Sequence, residues 1–153
     1  MAAPPASLFR RRPLRWGPGA ALVLLCGAAP LARAQSAAPA DRSVWDTTYT
    51  VAQAARGQTV FRTVCSSCHT PAQFAGPSFL AAWDGGTAYE LFQTLRSEMP
   101  LDNPGGLPRE QYLEVVAYLF QLNGFPAGSR DLPADSAELR HIRIQAKPGA
   151  PAK

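Results

Sequence analysis

Cys65-Ser66-Ser67-Cys68-His69 decides how the rest of this chain is read. Two cysteines three positions apart, followed at once by a histidine, form the pattern on which a haem is attached covalently. Each thiol adds across one of the two vinyl groups to give a thioether. The two-residue spacer sets the separation of the sulfurs, and the next side chain is carried under the iron as its proximal ligand. Other uses of the pair explain less. A disulfide between Cys65 and Cys68 would suit an oxidising compartment. A thioredoxin-like pair needs a βαβ context that is missing here. A zinc site needs two further ligands, and the other histidine, His141, lies far along the chain. None of these accounts for a histidine directly after Cys68.

The chain has 153 residues, enough for one small domain with an extension. Its first 34 residues have the order of a secretory signal peptide: a basic start at Arg10, Arg11, Arg12 and Arg15, an apolar run from Ala20 to Ala29, and Ala32-Arg33-Ala34 before a cleavage point at Gln35. The apolar run falls far short of the roughly 20 residues needed to span a bilayer. Arg11-Arg12 hints at the twin-arginine route, but haem attachment acts on an exported, still unfolded chain. Cys26 follows Leu25 rather than a small residue, which argues against lipidation.

Removing that segment changes the electrostatics. The whole chain carries 15 basic and 11 acidic residues. Five of the basic ones and none of the acidic ones lie before Gln35, leaving 10 against 11 and a net charge of −1. No nucleic-acid or anionic-membrane footprint remains, and no stable membrane insertion is expected after cleavage. Cys26 leaves as well, so the mature chain holds only Cys65 and Cys68.

Outward from the motif, the pattern is helical. Thr50 can cap a helix over residues 51–64 that runs into Cys65. Ala54, Gly57, Phe61 and Val64 recur on one face. Glycine inside a helix costs about 1 kcal/mol against alanine, so Gly57 has a packing reason, most simply a close helix crossing with Phe61 filling the space beside it. Residues 70–82 lack periodicity and read as a loop around the haem edge. A ligating histidine usually donates its other ring N–H, and the Gly76-Pro77 turn is the best local source of an accepting carbonyl. Thr87 caps a second helix over residues 88–98, with Leu91, Phe92, Leu95 and Met99 on its inner side. Proline pushes the residue before it out of helical geometry, so Met99-Pro100 places a thioether on an extended segment. Met99, the one methionine left after the signal, is the candidate sixth ligand of a Met/His haem. A third helix starts near Pro108, buries Tyr112, Val115, Val116, Leu119 and Leu122, and stops at Gly124.

These residues resemble class I monohaem c-type cytochromes. Gly57-x3-Phe61-x3-Cys65-x2-Cys68-His69 looks like that family's N-terminal helix and haem motif. Met99 sits where the family places its axial methionine, and the helix with Tyr118 and Leu119 looks like the C-terminal partner. A narrower resemblance is carried by Gln53-Ala54-Ala55-Arg56-Gly57, Trp83, Met99-Pro100, Pro104-Gly105-Gly106-Leu107, Val116-Ala117-Tyr118-Leu119, Asn123-Gly124-Phe125-Pro126-Ala127-Gly128 and Asp131-Leu132-Pro133-x-Asp135. It is to periplasmic cytochromes that accompany quinoprotein (PQQ-dependent) dehydrogenases. Thr70 stands where that subset usually has glycine.

The resemblance implies an all-α cytochrome c fold, three main helices around one covalent haem c with long loops. Four segments are expected: a signal over residues 1–34, a flexible leader over 35–48, a cytochrome domain over 49–146 whose residues 125–146 drape over it, and a disordered tail over 147–153. Cys65, Cys68, His69 and Met99 are the expected cofactor-binding residues, with His69 and Met99 on the iron. With both axial positions filled, the reading is a periplasmic electron carrier and not an enzyme. A PQQ-dependent dehydrogenase is the implied donor, and a terminal oxidase or another cytochrome the acceptor. Two other readings stay open: a haem enzyme or gas sensor with an open distal site, and a docking subunit of a larger dehydrogenase complex. A His69/His141 ligation would still be electron transfer, at lower potential.

Overall fold

A computed structural model describes residues 40–149. The expected signal, residues 35–39 and residues 150–153 lie outside the described residues. The fold is all-α in its bulk and is organised by one helix crossing. Helix α1 (Val51–Val60) lies against α4 (Arg109–Leu122), and Gly57 sits at the contact. A methyl group at Gly57 would overlap the backbone carbonyl of Glu114 and come within 2.9 Å of the Val115 amide nitrogen. The missing side chain is therefore what lets the two backbones meet, as the glycine in the helical pattern required.

Between these two helices come α2 (Pro77–Trp83) and α3 (Ala88–Glu98), and α5 (Ser136–Arg140) follows them. The helix starts have local causes. The Thr50 hydroxyl accepts from the Gln53 amide at 3.0 Å. Thr87 accepts from the Glu90 amide, and the Glu90 carboxylate accepts from the Thr87 amide at 2.8 Å, a reciprocal cap. Helix α4 begins after Pro108 and ends at Asn123, with Gly124 at φ 72° turning the chain away. Its buried residues Tyr112, Val115, Val116, Leu119 and Phe120 form the centre of the core. Each such side chain contributes roughly 1.5–3 kcal/mol by leaving water.

Two expectations are corrected. Residues 70–82 are not a plain loop: a single tight turn of helix at Pro71–Phe74 and then α2 fill most of it. The three expected main helices are thus joined by two short ones, α2 and, in the strap, α5. The leader expected over 35–48 is part of the fold from Arg42 onward. Strand β1 (Arg42–Ser43) pairs in parallel with β2 (Ile142–Arg143), Arg42 opposite Ile142, and Val44 is fully buried. Val44, with the partly buried Trp45 beside it, anchors this stretch to the core.

Residues 125–146 pack over the domain as a strap with several fastenings. The Tyr49 hydroxyl donates to the Phe125 carbonyl at 2.7 Å. Buried Gln53 accepts from the Leu132 amide at 2.8 Å through its side-chain carbonyl. The Arg109 guanidinium donates twice to the Ala134 carbonyl and stacks 4.4 Å from the Phe92 ring centre. Its own Leu132, Leu139, Ile142 and Ile144 are all buried against the domain.

Candidate haem site

Helix α1 does not run unchanged into the motif. After Val60 the chain widens into a π-turn, Phe61–Cys65, where the Ser66 amide bonds the Phe61 carbonyl at 2.9 Å. Such insertions gather at functional sites because they rotate the following side chains relative to a regular helix. The Cys65 carbonyl then accepts from both the Cys68 amide at 3.2 Å and the His69 amide at 3.0 Å. The motif thus folds back on its own first residue, and Cys65, Cys68 and His69 share one turn.

Cys65 is half-buried and Cys68 exposed. Burial pushes the Cys65 thiol above its ordinary pKa. The half-buried His69 ring lies edge-on to Phe74, centroids 5.3 Å apart. Phe74 in turn meets Phe61 at 5.9 Å, and Phe61 meets Tyr118 of α4 at 5.5 Å. Phe61 therefore fills the space one turn past the Gly57 crossing and links the motif to it. The Gly76 carbonyl does not turn to His69. It accepts from the Phe79 and Leu80 amides and so starts α2.

Met99 follows the last residue of α3 in extended backbone, φ −127° and ψ 150°, as its proline demands. The Met99–Pro100 bond is cis. Its amide bonds the Leu95 carbonyl at 3.0 Å and its carbonyl accepts from the Tyr112 hydroxyl at 2.7 Å. The same hydroxyl accepts from the Leu107 amide at 3.4 Å. Tyr112 thus pins both ends of the 99–107 loop to α4, and the half-buried Met99 side chain is held at a fixed place on the chain.

Two positioning residues were not legible as such in the sequence. Tyr112 reads only as core, though its hydroxyl anchors Met99. Asn123 reads only as the end of α4, yet it clamps the loop after the motif. Its amide nitrogen donates to Phe74 O at 2.9 Å and to Leu119 O at 2.8 Å, and its oxygen accepts from the Gly76 amide at 2.8 Å. A signal for the turn at Pro71 was present: Thr70-Pro71-Ala72-Gln73 has the cap spacing, and Gln73 accepts from the Thr70 amide at 2.8 Å. His141 stands elsewhere, its Nδ1 2.8 Å from the Asp41 carboxylate.

The donor set fits a covalently held haem better than a bare metal ion. Two thiols and an imidazole share one turn, with the half-buried Phe74 ring against His69. Among the described residues, no group of three or more His, Cys, Asp or Glu side chains could hold a metal ion.

Residues 52–119 match the family model described as cytochrome C oxidase, cbb3-type, subunit III. The match supports a c-type cytochrome, a class of haem-based electron carriers that is generally not enzymatic, and it implies covalently bound haem c and redox protein partners. It includes Cys65, Cys68, His69 and Met99. No curated protein and no solved structure matches the chain.

Proposed function

We propose that this chain is an exported one-electron carrier whose haem c is joined to Cys65 and Cys68 and ligated by His69 and Met99. The observation that carries the reading is the position of all four residues inside the cytochrome-matching segment, three on one turn and the fourth anchored by Tyr112. When bound, the haem supplies a one-electron couple. The protein's part is to hold and cover it. The thiols fix its attachment, and the Phe61–Phe74–Tyr118 cluster orients the His69 turn. A thioether from Met99 favours the reduced form and raises the potential.

Residues 1–34 direct export to the periplasm and are then removed. No helix among the described residues is long and apolar enough to cross a membrane. The near-zero mature charge argues against strong steering by charge, so the carrier docks through a small apolar patch in a transient encounter. The donor is a PQQ-dependent dehydrogenase, and the acceptor a terminal oxidase or another cytochrome. Mixing the oxidised protein with a quinoprotein dehydrogenase and its substrate tests this in a stopped-flow spectrometer. The haem bands should shift to the reduced form at a rate that changes little with salt. A turning-over dehydrogenase that leaves the haem oxidised refutes the donor. A rate that falls steeply with salt refutes the apolar docking.

A further inference from the structure

Apart from the haem site, an open cleft of about 210 Å³ lies where the β1 segment meets the strap. Arg42, Thr47 and Thr48 come from the first, and Arg130, Asp131 and Glu138 from the second. Neither arginine side chain makes a hydrogen bond or ion pair among the described residues, although two carboxylates line the same space. Asp131 is already committed: it pairs with Arg56 at 2.9 Å and accepts from the Thr50 hydroxyl. Arg56 also pairs with Glu114, so Asp131 shares that cation with a second carboxylate, while Glu138 makes no ion pair among the described residues.

The backbone of the cleft wall is unusual. Thr47 is the one non-glycine residue with positive φ among those described, at 53°, a conformation that costs free energy and persists where the surroundings enforce it. Thr48, 3% exposed, has a hydroxyl with no hydrogen-bond partner, the one such buried side-chain atom among the described residues. Buried polar groups are nearly always paired.

We infer that this cleft binds a small monovalent carboxylate that also carries a hydroxyl or ammonium donor. The carboxylate would take the paired N–H groups that a guanidinium presents in a planar fork. Glu138, an acceptor, takes the second group. The formal charges of the lining balance, Arg42 and Arg130 against Asp131 and Glu138, so a monoanion that carries its own donor suits the cleft better than a dianion, which would meet Glu138. The cleft, with the space of about seven water molecules at roughly 30 Å³ each, is ample for a small hydroxy or amino acid.

The test uses the full, haem-loaded protein with lactate as probe and acetate and inorganic phosphate as comparisons, followed by amide and guanidinium NMR shifts. Lactate should produce saturable shifts at Thr47, Thr48 and both arginines, with acetate weaker and phosphate weaker still. Arg130→Gln should weaken lactate binding roughly tenfold or more, the loss of one charged hydrogen-bonding partner, with an unchanged haem spectrum confirming the fold. Glu138→Gln should leave acetate binding in place and shrink the preference for lactate. Absence of saturable shifts overturns the site. Shifts that survive in the Arg42→Gln/Arg130→Gln double variant overturn it also. Phosphate binding with lactate inert overturns the carboxylate assignment.

Discussion

Gly57→Ala isolates the contact on which the fold turns. On an exposed helix this change is favourable, by about 1 kcal/mol, because alanine is the better helix former. Here the new methyl would meet backbone, not the end of a flexible side chain: the Glu114 carbonyl by overlap and the Val115 nitrogen at 2.9 Å. Neither helix can yield locally, so α1 and α4 must separate. Separation loosens Ala54, Phe61 and Val116, all buried near the crossing. Overpacking of this kind costs about 1–3 kcal/mol and sometimes more. With backbone on the receiving side, the upper part of that range applies, and the propensity gain offsets only part of it. The expected net loss is about 2 kcal/mol. For a domain of this size that corresponds to a fall in Tm on the order of 10 °C. Thermal unfolding of the haem-loaded protein, followed by far-ultraviolet circular dichroism, measures it. Ala55→Gly, on the exposed side of the same helix, calibrates propensity alone at about 1 kcal/mol. A Gly57→Ala protein as stable as its parent would refute the close crossing.

Asn123→Ala should lower stability by about 1.5–3 kcal/mol, since three hydrogen bonds holding Phe74, Gly76 and Leu119 go at once. Hydrogen exchange should quicken at the Gly76 amide, and an unchanged rate there counts against the clamp. Gln53→Ala should release the strap at Leu132, raising exchange at the Leu132 amide while α3 amides keep their protection. The hydrogen bond from His141 holds the Asp41 carboxyl below its ordinary value of 3.8. A lowered carboxyl contributes stability that is present above the ordinary value and lost as pH falls through the folded one. Asp41→Asn should therefore narrow the gap between neutral and acid stability, slightly because the pair is exposed, and an identical acid limb in both proteins would exclude the linkage.

Much of this architecture was written in the local sequence. Gly57 inside a strong helical pattern announced a crossing, and Met99-Pro100 announced an extended residue at the end of α3. What escaped reading depends on partners distant in the chain. The parallel pairing of Arg42–Ser43 with Ile142–Arg143 joins segments about one hundred residues apart, and two-residue strands leave no periodic trace. Asn123 and Tyr112 act through side-chain groups whose partners, Phe74, Gly76 and Met99, are set by the folded helix packing. The wide turn at Phe61–Cys65 likewise has no signature in residue type. The motif could be read for chemistry at all because covalent attachment of a cofactor would constrain its spacing directly.

The proposal rests most heavily on the two axial ligands. The visible spectrum of the oxidised protein tests them directly. Ligation by His69 and Met99 predicts a low-spin spectrum with a weak long-wavelength sulfur-to-iron band, lost in Met99→Ala while the haem stays covalently attached. A high-spin spectrum in the unaltered protein, or a band that survives Met99→Ala, would contradict it.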